Sequence, residues 1–197
     1  MEIKVFYFGK NLATQMKAEL PGDYVACFDL GAYGELANMV FMAGSGDYLE
    51  IGTWRGTSAI IAAKTKEEYG ISGNIVCVDH FKGYTNENSA LIRSQAEDTM
   101  KKYGVFDKIE IFEQPSRPMP LELKTRTFAC ALIDGNHWKE NPYLDFLEIE
   151  SLVENYIMFD DYDDAHKDVM DAVERASKSE NWSLVRTDNR AAVLERI

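Results

Sequence analysis

The chain has 197 residues, 46% of them apolar and 27% charged, a composition that fits one globular domain and excludes disordered, collagen-like and low-complexity classes. A domain of this length buries roughly 70% of its unfolded surface and needs no disulfide framework. Lys and Arg number 21 against 33 Asp and Glu, a formal net charge of -12 whose field repels phosphate backbones and anionic lipid, so neither nucleic acid nor membrane is an expected partner.

The three cysteines, Cys27, Cys77 and Cys130, lie far apart with no C-x-x-C or metal-finger spacing and read as reduced packing residues. The opening MEIKVFYFGK has no basic region, long apolar stretch or small-residue cleavage site, and no apolar run approaches a membrane span, so a cytoplasmic protein is expected. No repeat, linker or composition shift divides the chain, which predicts a single domain over 1–197; the pattern assigns no structure to residues 1–34.

From there the elements follow in order. Residues 35–43 read as a helix, 48–51 as a short strand and 57–69 as an Ala/Ile-rich helix that begins after a glycine. Residues 75–79 form the next strand, Ile92, Ala96, Met100 and Tyr103 keep helical spacing, and 109–112 is a weaker strand. After the strand 128–134, Asn141 and Pro142 offer an N-cap and a first-turn proline to a helix carrying Leu144 and Leu147. The strand 156–160 precedes a helix that Asp163 or Asp164 would cap, with Val169, Met170, Val173 and Ala176 as its apolar stripe. Segments 182–185 and 191–194 read as a closing antiparallel hairpin. Strands that are apolar on both faces and alternate with helices predict an α/β, Rossmann-like doubly wound sheet, mostly parallel, with the C-terminal hairpin strand antiparallel.

In such a sheet ligands sit outside the carboxyl ends of the strands, where the acids that end these runs converge. The first run leads into Glu50-Ile51-Gly52-Thr53-Trp54-Arg55-Gly56-Thr57-Ser58, whose two glycines let the backbone turn tightly and approach a ligand. It lacks the G-K-[ST] of a Walker loop, and Trp54 stands where a dinucleotide loop has its second glycine; a plain strand-to-helix turn is the alternative. Asp79 could accept hydrogen bonds from both hydroxyls of a ribose. Asp134 with Asp160 and Asp161 would gather three acids whose repulsion a hard divalent cation relieves. Helix capping competes with that reading; it explains Asp163 and Asp164 well and Asp134 poorly. His137 could be a general base, an outer partner of the acids or a solvated loop histidine, and Lys139 could lower the pKa of a substrate oxygen. His166 reads as a surface residue of the capped helix.

Four segments, LEIGTWRGTS at 49–58, IVCVDHFKG at 75–83, ALIDGNHWKE at 131–140 and YIMFDDY at 156–162, taken in this order, resemble the class I S-adenosylmethionine-dependent methyltransferases. The resemblance is closest to the small-molecule O-methyltransferases of the macrocin type and more distant to catechol O-methyltransferase. It implies S-adenosylmethionine as cofactor, with Gly52, Thr53, Gly56 and Ser58 around its methionine moiety and Glu50 holding its ammonium directly or through water. Asp79 would bind the ribose, His80 and Phe81 would lie against the nucleoside, and Asp134 would border the cofactor. Ser116 falls where the family reads the adenine amine, with a simple turn residue as the alternative.

The resemblance further implies that Asp134, Asp160 and Asp161 bind Mg2+ or another divalent cation, which orients a substrate hydroxyl pair for attack on the methyl carbon. Where many sugar methyltransferases carry D-G-D, this chain has Asn136, which shifts the expected base role to His137. The expected function is therefore Mg2+-assisted O-methylation of a small hydroxylated molecule: a sugar, a phenolic or a polyketide-type metabolite. A metal-dependent glycosyl- or phosphoryl-transfer enzyme, disfavoured by the missing phosphate cradle, and a non-catalytic cofactor-binding protein on the same fold remain open. The acceptor would be chosen by the N-terminal segment and residues 83–90. Tyr33 and Tyr143 could serve a homo-oligomer interface or the core.

Overall fold

The computed structural model describes residues 1–20, 29–82 and 89–197; Cys27 and residues 83–88 of the expected acceptor stretch lie outside the described residues. In chain order the elements are α1 (Glu2–Glu19), α2 (Leu30–Ala43), β1 (Tyr48–Ile51), α3 (Thr57–Tyr69), β2 (Ile75–Asp79), α4 (Ser89–Lys102), β3 (Ile109–Glu113), β4 (Phe128–Ile133), α5 (Asn141–Ile149), β5 (Val153–Phe159), α6 (Lys167–Ala176), β6 (Trp182–Asp188) and β7 (Ala191–Arg196). The strands make one sheet in the order β3-β2-β1-β4-β5-β7-β6, with β1 to β5 parallel and β7 antiparallel to both its neighbours. This is the expected doubly wound sheet with its reversed C-terminal strand.

Successive residues of each central strand enter opposite cores, because strand side chains alternate between faces. Tyr48, Cys77, Cys130, Leu132 and Met158 pack under α1 to α4, whereas Leu49, Val76, Ala131, Ile133 and Phe159 pack under α5 and α6. Both faces are covered, which is why these strands read as largely apolar runs. Cys77 and Cys130 are buried and unbridged, as packing residues should be. Tyr33 belongs to the core, while Tyr143 stacks on Phe146 and lies under the Arg175 guanidinium.

The segment without a sequence assignment is α1, which lies on α2. Its buried stripe is Val5, Gly9, Ala13 and Met16. Gly9 is there for contact: a Cβ at that position would stand 2.5 Å from the Tyr33 carbonyl oxygen and 2.6 Å from the Ala37 Cβ. Two caps differ from expectation. Helix α5 begins one residue early, with Glu140 at its N-cap. The residue capping α6 is His166; Asp163 instead folds the preceding turn, accepting from the backbone N–H of Ala165 and His166. Among the described residues no helix is long and apolar enough to cross a membrane.

Candidate functional site

The sheet reverses its winding between β1 and β4, so the loops that leave their carboxyl ends diverge and open a crevice. The floor of that crevice is stitched by backbone bonds: Gly52 N–H donates to Val78 O at 3.0 Å and Asp134 N–H to Ile51 O at 2.8 Å. Gly52 has φ +88°, and a Cβ there would stand 2.2 Å from the Asp134 carbonyl oxygen. Only glycine meets both conditions. Gly56, at φ +83°, sets the left-handed turn into α3, where a Cβ would press on the Met100 methyl at 2.8 Å. Arg55 secures the loop between them by donating to Gln95 of α4 at 2.9 Å and lying 4.2 Å over Trp54.

Asp79 closes the same loop. One carboxylate oxygen accepts from the backbone N–H of Thr53 and of Trp54, both at 2.7 Å, and the other accepts from Phe81 N–H at 2.6 Å. A carboxylate offers about four acceptor positions, so capacity for a further donor remains. Glu50 lies beneath, with no exposed surface, and accepts from the Tyr48 hydroxyl at 2.8 Å. Burial pushes its carboxyl up to about 8, against the pull of hydrogen bonds from Tyr48 and Ser58. A residue so enclosed can act on a ligand only through the groups around it. Ser58 is buried in the first turn of α3.

The acids after β4 and β5 do converge, and two histidines join them. His137 lies between Asp134 and Asp161, its Nε2 3.2 Å from Asp134 Oδ1 and its Nδ1 3.0 Å from Asp161 Oδ2. His166 Nε2 stands 3.5 Å from that same Asp161 oxygen, while its Nδ1 is 2.9 Å from Asp163 Oδ1. Arg190, in the turn between β6 and β7, pairs with Asp161 and with Asp163, and its carbonyl accepts from Tyr162 N–H at 2.9 Å. Asp160 is 2% exposed and both its carboxylate oxygens lack a hydrogen-bond partner. Burial, then the charges of Asp134 and Asp161, drives its carboxyl far above the usual range. Burial also raises Asp134, against the bond and charge of His137. Asp161 lies low: its burial is outweighed by the bond from His137 and the nearby charges of His137, Arg190 and His166. A buried, partnerless carboxylate beside two others is a donor set suited to a divalent cation, so the residues present fit one.

Burial would lower His137, but its bonds to Asp134 and Asp161 lift it to about 10. Each of its ring nitrogens faces a carboxylate, so the ring orients Asp134 and Asp161. Other expected residues stand apart from the cluster. The Lys139 side chain is exposed and makes no hydrogen bond or ion pair among the described residues, its backbone N–H bonding Asp168 at 2.7 Å. Ser116 donates to Asp145 of α5 at 2.6 Å, an anchoring bond that fits a turn residue. His80 is exposed, and its Nδ1 accepts from Lys82 N–H at 2.8 Å. Phe81, at φ +53°, turns into the core at 1% exposure and offers no ring face to a nucleoside. His166 and Arg190 had not been expected here: the histidine closes the acid-rich run 160–164, a signal present in the sequence, whereas the arginine arrives only by the folding of the hairpin. A cleft of about 390 Å³ lined by Lys66, Ser72, Asn74 and Lys108 lies at the opposite, amino-terminal edge of the sheet and gathers no such chemistry.

Residues 49–162, more than half of the chain and the part that holds this crevice, match a family model described as a methyltransferase domain. Among solved structures, the chain is similar to an O-methyltransferase from Bacillus cereus in complex with S-adenosylhomocysteine: 18% identity, 83% of this chain and 79% of that one, TM-score 0.64. It is also similar to the S-adenosylhomocysteine-bound methyltransferase PaMTH1 of Podospora anserina, at 16% identity, 95% and 86% coverage and TM-score 0.61. CalS11, a TDP-rhamnose 3'-O-methyltransferase of calicheamicin biosynthesis, aligns at 16% identity, 95% and 92% coverage and TM-score 0.58. These likenesses establish the fold. No curated protein matches the sequence.

Proposed function

The chain belongs to the methyltransferase-domain family, and from that premise we propose that it transfers the methyl group of S-adenosylmethionine to a hydroxyl of a small molecule with the help of a divalent cation. The observation that carries the proposal is Asp160, whose two buried and partnerless oxygens stand in an acid cluster one loop away from Gly52. The Gly52 to Gly56 turn would wrap the methionine end of the cofactor, Glu50 would act on its ammonium from below, and Asp79, already fixed by three backbone N–H groups, would meet the ribose. Asp134, Asp160 and Asp161 would hold the cation, which when bound supplies positive charge that lowers the pKa of an acceptor hydroxyl. His137, set between Asp134 and Asp161, would position those two carboxylates. Sugar, phenolic and polyketide-type acceptors all present the hydroxyl this chemistry requires; CalS11, which acts on TDP-rhamnose, supports the sugar class.

Calorimetry tests the two halves separately. S-adenosylhomocysteine should bind the folded chain; no binding would remove the methyltransferase proposal. Asp134→Asn combined with Asp160→Asn should abolish divalent-dependent turnover in an acceptor screen while cofactor affinity stays within a few-fold. Turnover that survives both substitutions and chelation would leave the acids a purely structural role.

A further inference from the structure

We propose that the cation at this edge is a nitrogen-binding divalent metal of the manganese-to-zinc series, held by His137 Nδ1, His166 Nε2 and Asp161, and not an ion served by oxygens alone. This rests on the metal-assisted function proposed above and names the metal class.

The geometry comes first. Asp161 Oδ2 lies 3.0 Å from His137 Nδ1 and 3.5 Å from His166 Nε2, and one ligand atom from each of the three residues lies within 4.8 Å of the others. Metal–ligand bonds of roughly 2.0–2.2 Å set neighbouring ligands roughly 3–3.5 Å apart, so little closure is required. The rings come from different parts of the chain, the loop after β4 and the start of α6, and meet edge to face at 5.6 Å.

The second observation is what each ring does with its other nitrogen. His137 turns Nε2 to Asp134 and His166 turns Nδ1 to Asp163. A histidine bound to a metal characteristically gives its remaining N–H to a carboxylate, which fixes the tautomer and aims the free lone pair at the metal. Both rings have that arrangement, and in both the lone pair so directed faces Asp161. The third observation is independent of the histidines: Asp160 brings two buried oxygens with no partner into the same cluster. Two imidazoles with carboxylates suit manganese, iron, cobalt, nickel or zinc, whereas Mg2+ favours an all-oxygen octahedron with several waters.

The test uses the full chain, stripped with chelator and titrated with Mn2+, and reads pulsed electron paramagnetic resonance of the bound ion. Imidazole-nitrogen couplings are expected, and they should be reduced in both His166→Gln and His137→Gln. Mn2+ affinity should fall roughly 10–100-fold in His166→Gln, and a fall within that range is expected in Asp163→Asn, which keeps both rings and only releases His166. The last variant serves if a histidine variant does not fold. Bound Mn2+ with no nitrogen couplings, unchanged in all three variants, would overturn the nitrogen site and leave the metal-assisted function standing on oxygens. No Mn2+ binding would overturn both. S-adenosylhomocysteine binding is measured in parallel, because its loss sinks the methyl-transfer proposal whatever the nitrogen signal shows.

Discussion

Glu50 is a carboxyl with no exposed surface, and its pKa of about 8 makes the folded state keep a proton that the unfolded chain releases near 4.5. For an acid raised in this way, stability is greatest below its unfolded pKa and declines as pH rises through its folded pKa. Between those limits the cost accumulates to roughly 5 kcal/mol by the usual conversion of pKa difference to free energy. Glu50→Gln should therefore flatten the fall in melting temperature between about pH 5 and about pH 8, measured by circular dichroism against the parent chain. An unchanged slope would show that the buried proton is not held there. The same residue marks a limit of reading acids from a pattern. Glu50, Asp79 and Asp160 look alike in sequence, yet one is sealed beneath the loop, one is held by three backbone N–H groups and one has no partner. Which of these an acid becomes depends on neighbours distant in the chain.

Among the elements, α1 was the least legible and the β6–β7 hairpin the one whose task was only half read. Helical periodicity is read from large apolar residues, and in α1 the large ones mislead: Ile3 and Tyr7 are exposed while Gly9 and Ala13 are buried. The helix docks on α2 through a narrow stripe whose middle, Gly9 and Ala13, is small enough for close approach. Gly9→Ala improves intrinsic helix propensity by about 1 kcal/mol, yet it places a methyl group against the Tyr33 carbonyl. A net loss of about 1–3 kcal/mol is expected from the overpacking, checked by urea denaturation; a more stable variant would mean that α1 is free to shift. The hairpin was expected as sheet closure alone. Folding gives its turn a second task, since Asn189 and Arg190, both at positive φ, set Arg190 on Asp161 and Asp163 and its carbonyl on Tyr162. Its strands also connect outward, with Arg186 of β6 paired to Glu35 of α2 at 2.8 Å.

At the scale of the whole molecule, two apolar cores share one sheet, so neither can open without exposing the reverse face of strands that the other needs. Unfolding should be a single transition, with far-UV dichroism coincident with tryptophan fluorescence, to which Trp182 contributes from a buried position edge to face with Phe146 of α5. S-adenosylhomocysteine at about 100 times its dissociation constant should raise the stability of that transition by about 2.7 kcal/mol, since the crevice is built from loops of both halves of the sheet. Two separate transitions would contradict the shared core. By itself the sequence determined the α/β class, the strands and most of the helices, the glycine turn and the convergence of Asp134, Asp160 and Asp161, because each is written in local periodicity, backbone permissiveness or position at a strand end. Tertiary structure alone decided how the acids are partnered, that His166 and Arg190 join them, that Phe81 faces inward, and that α1 docks through a glycine. Those outcomes depend on distances between residues far apart in the chain, and burial and charge pairing take their values only when the fold has brought such residues together.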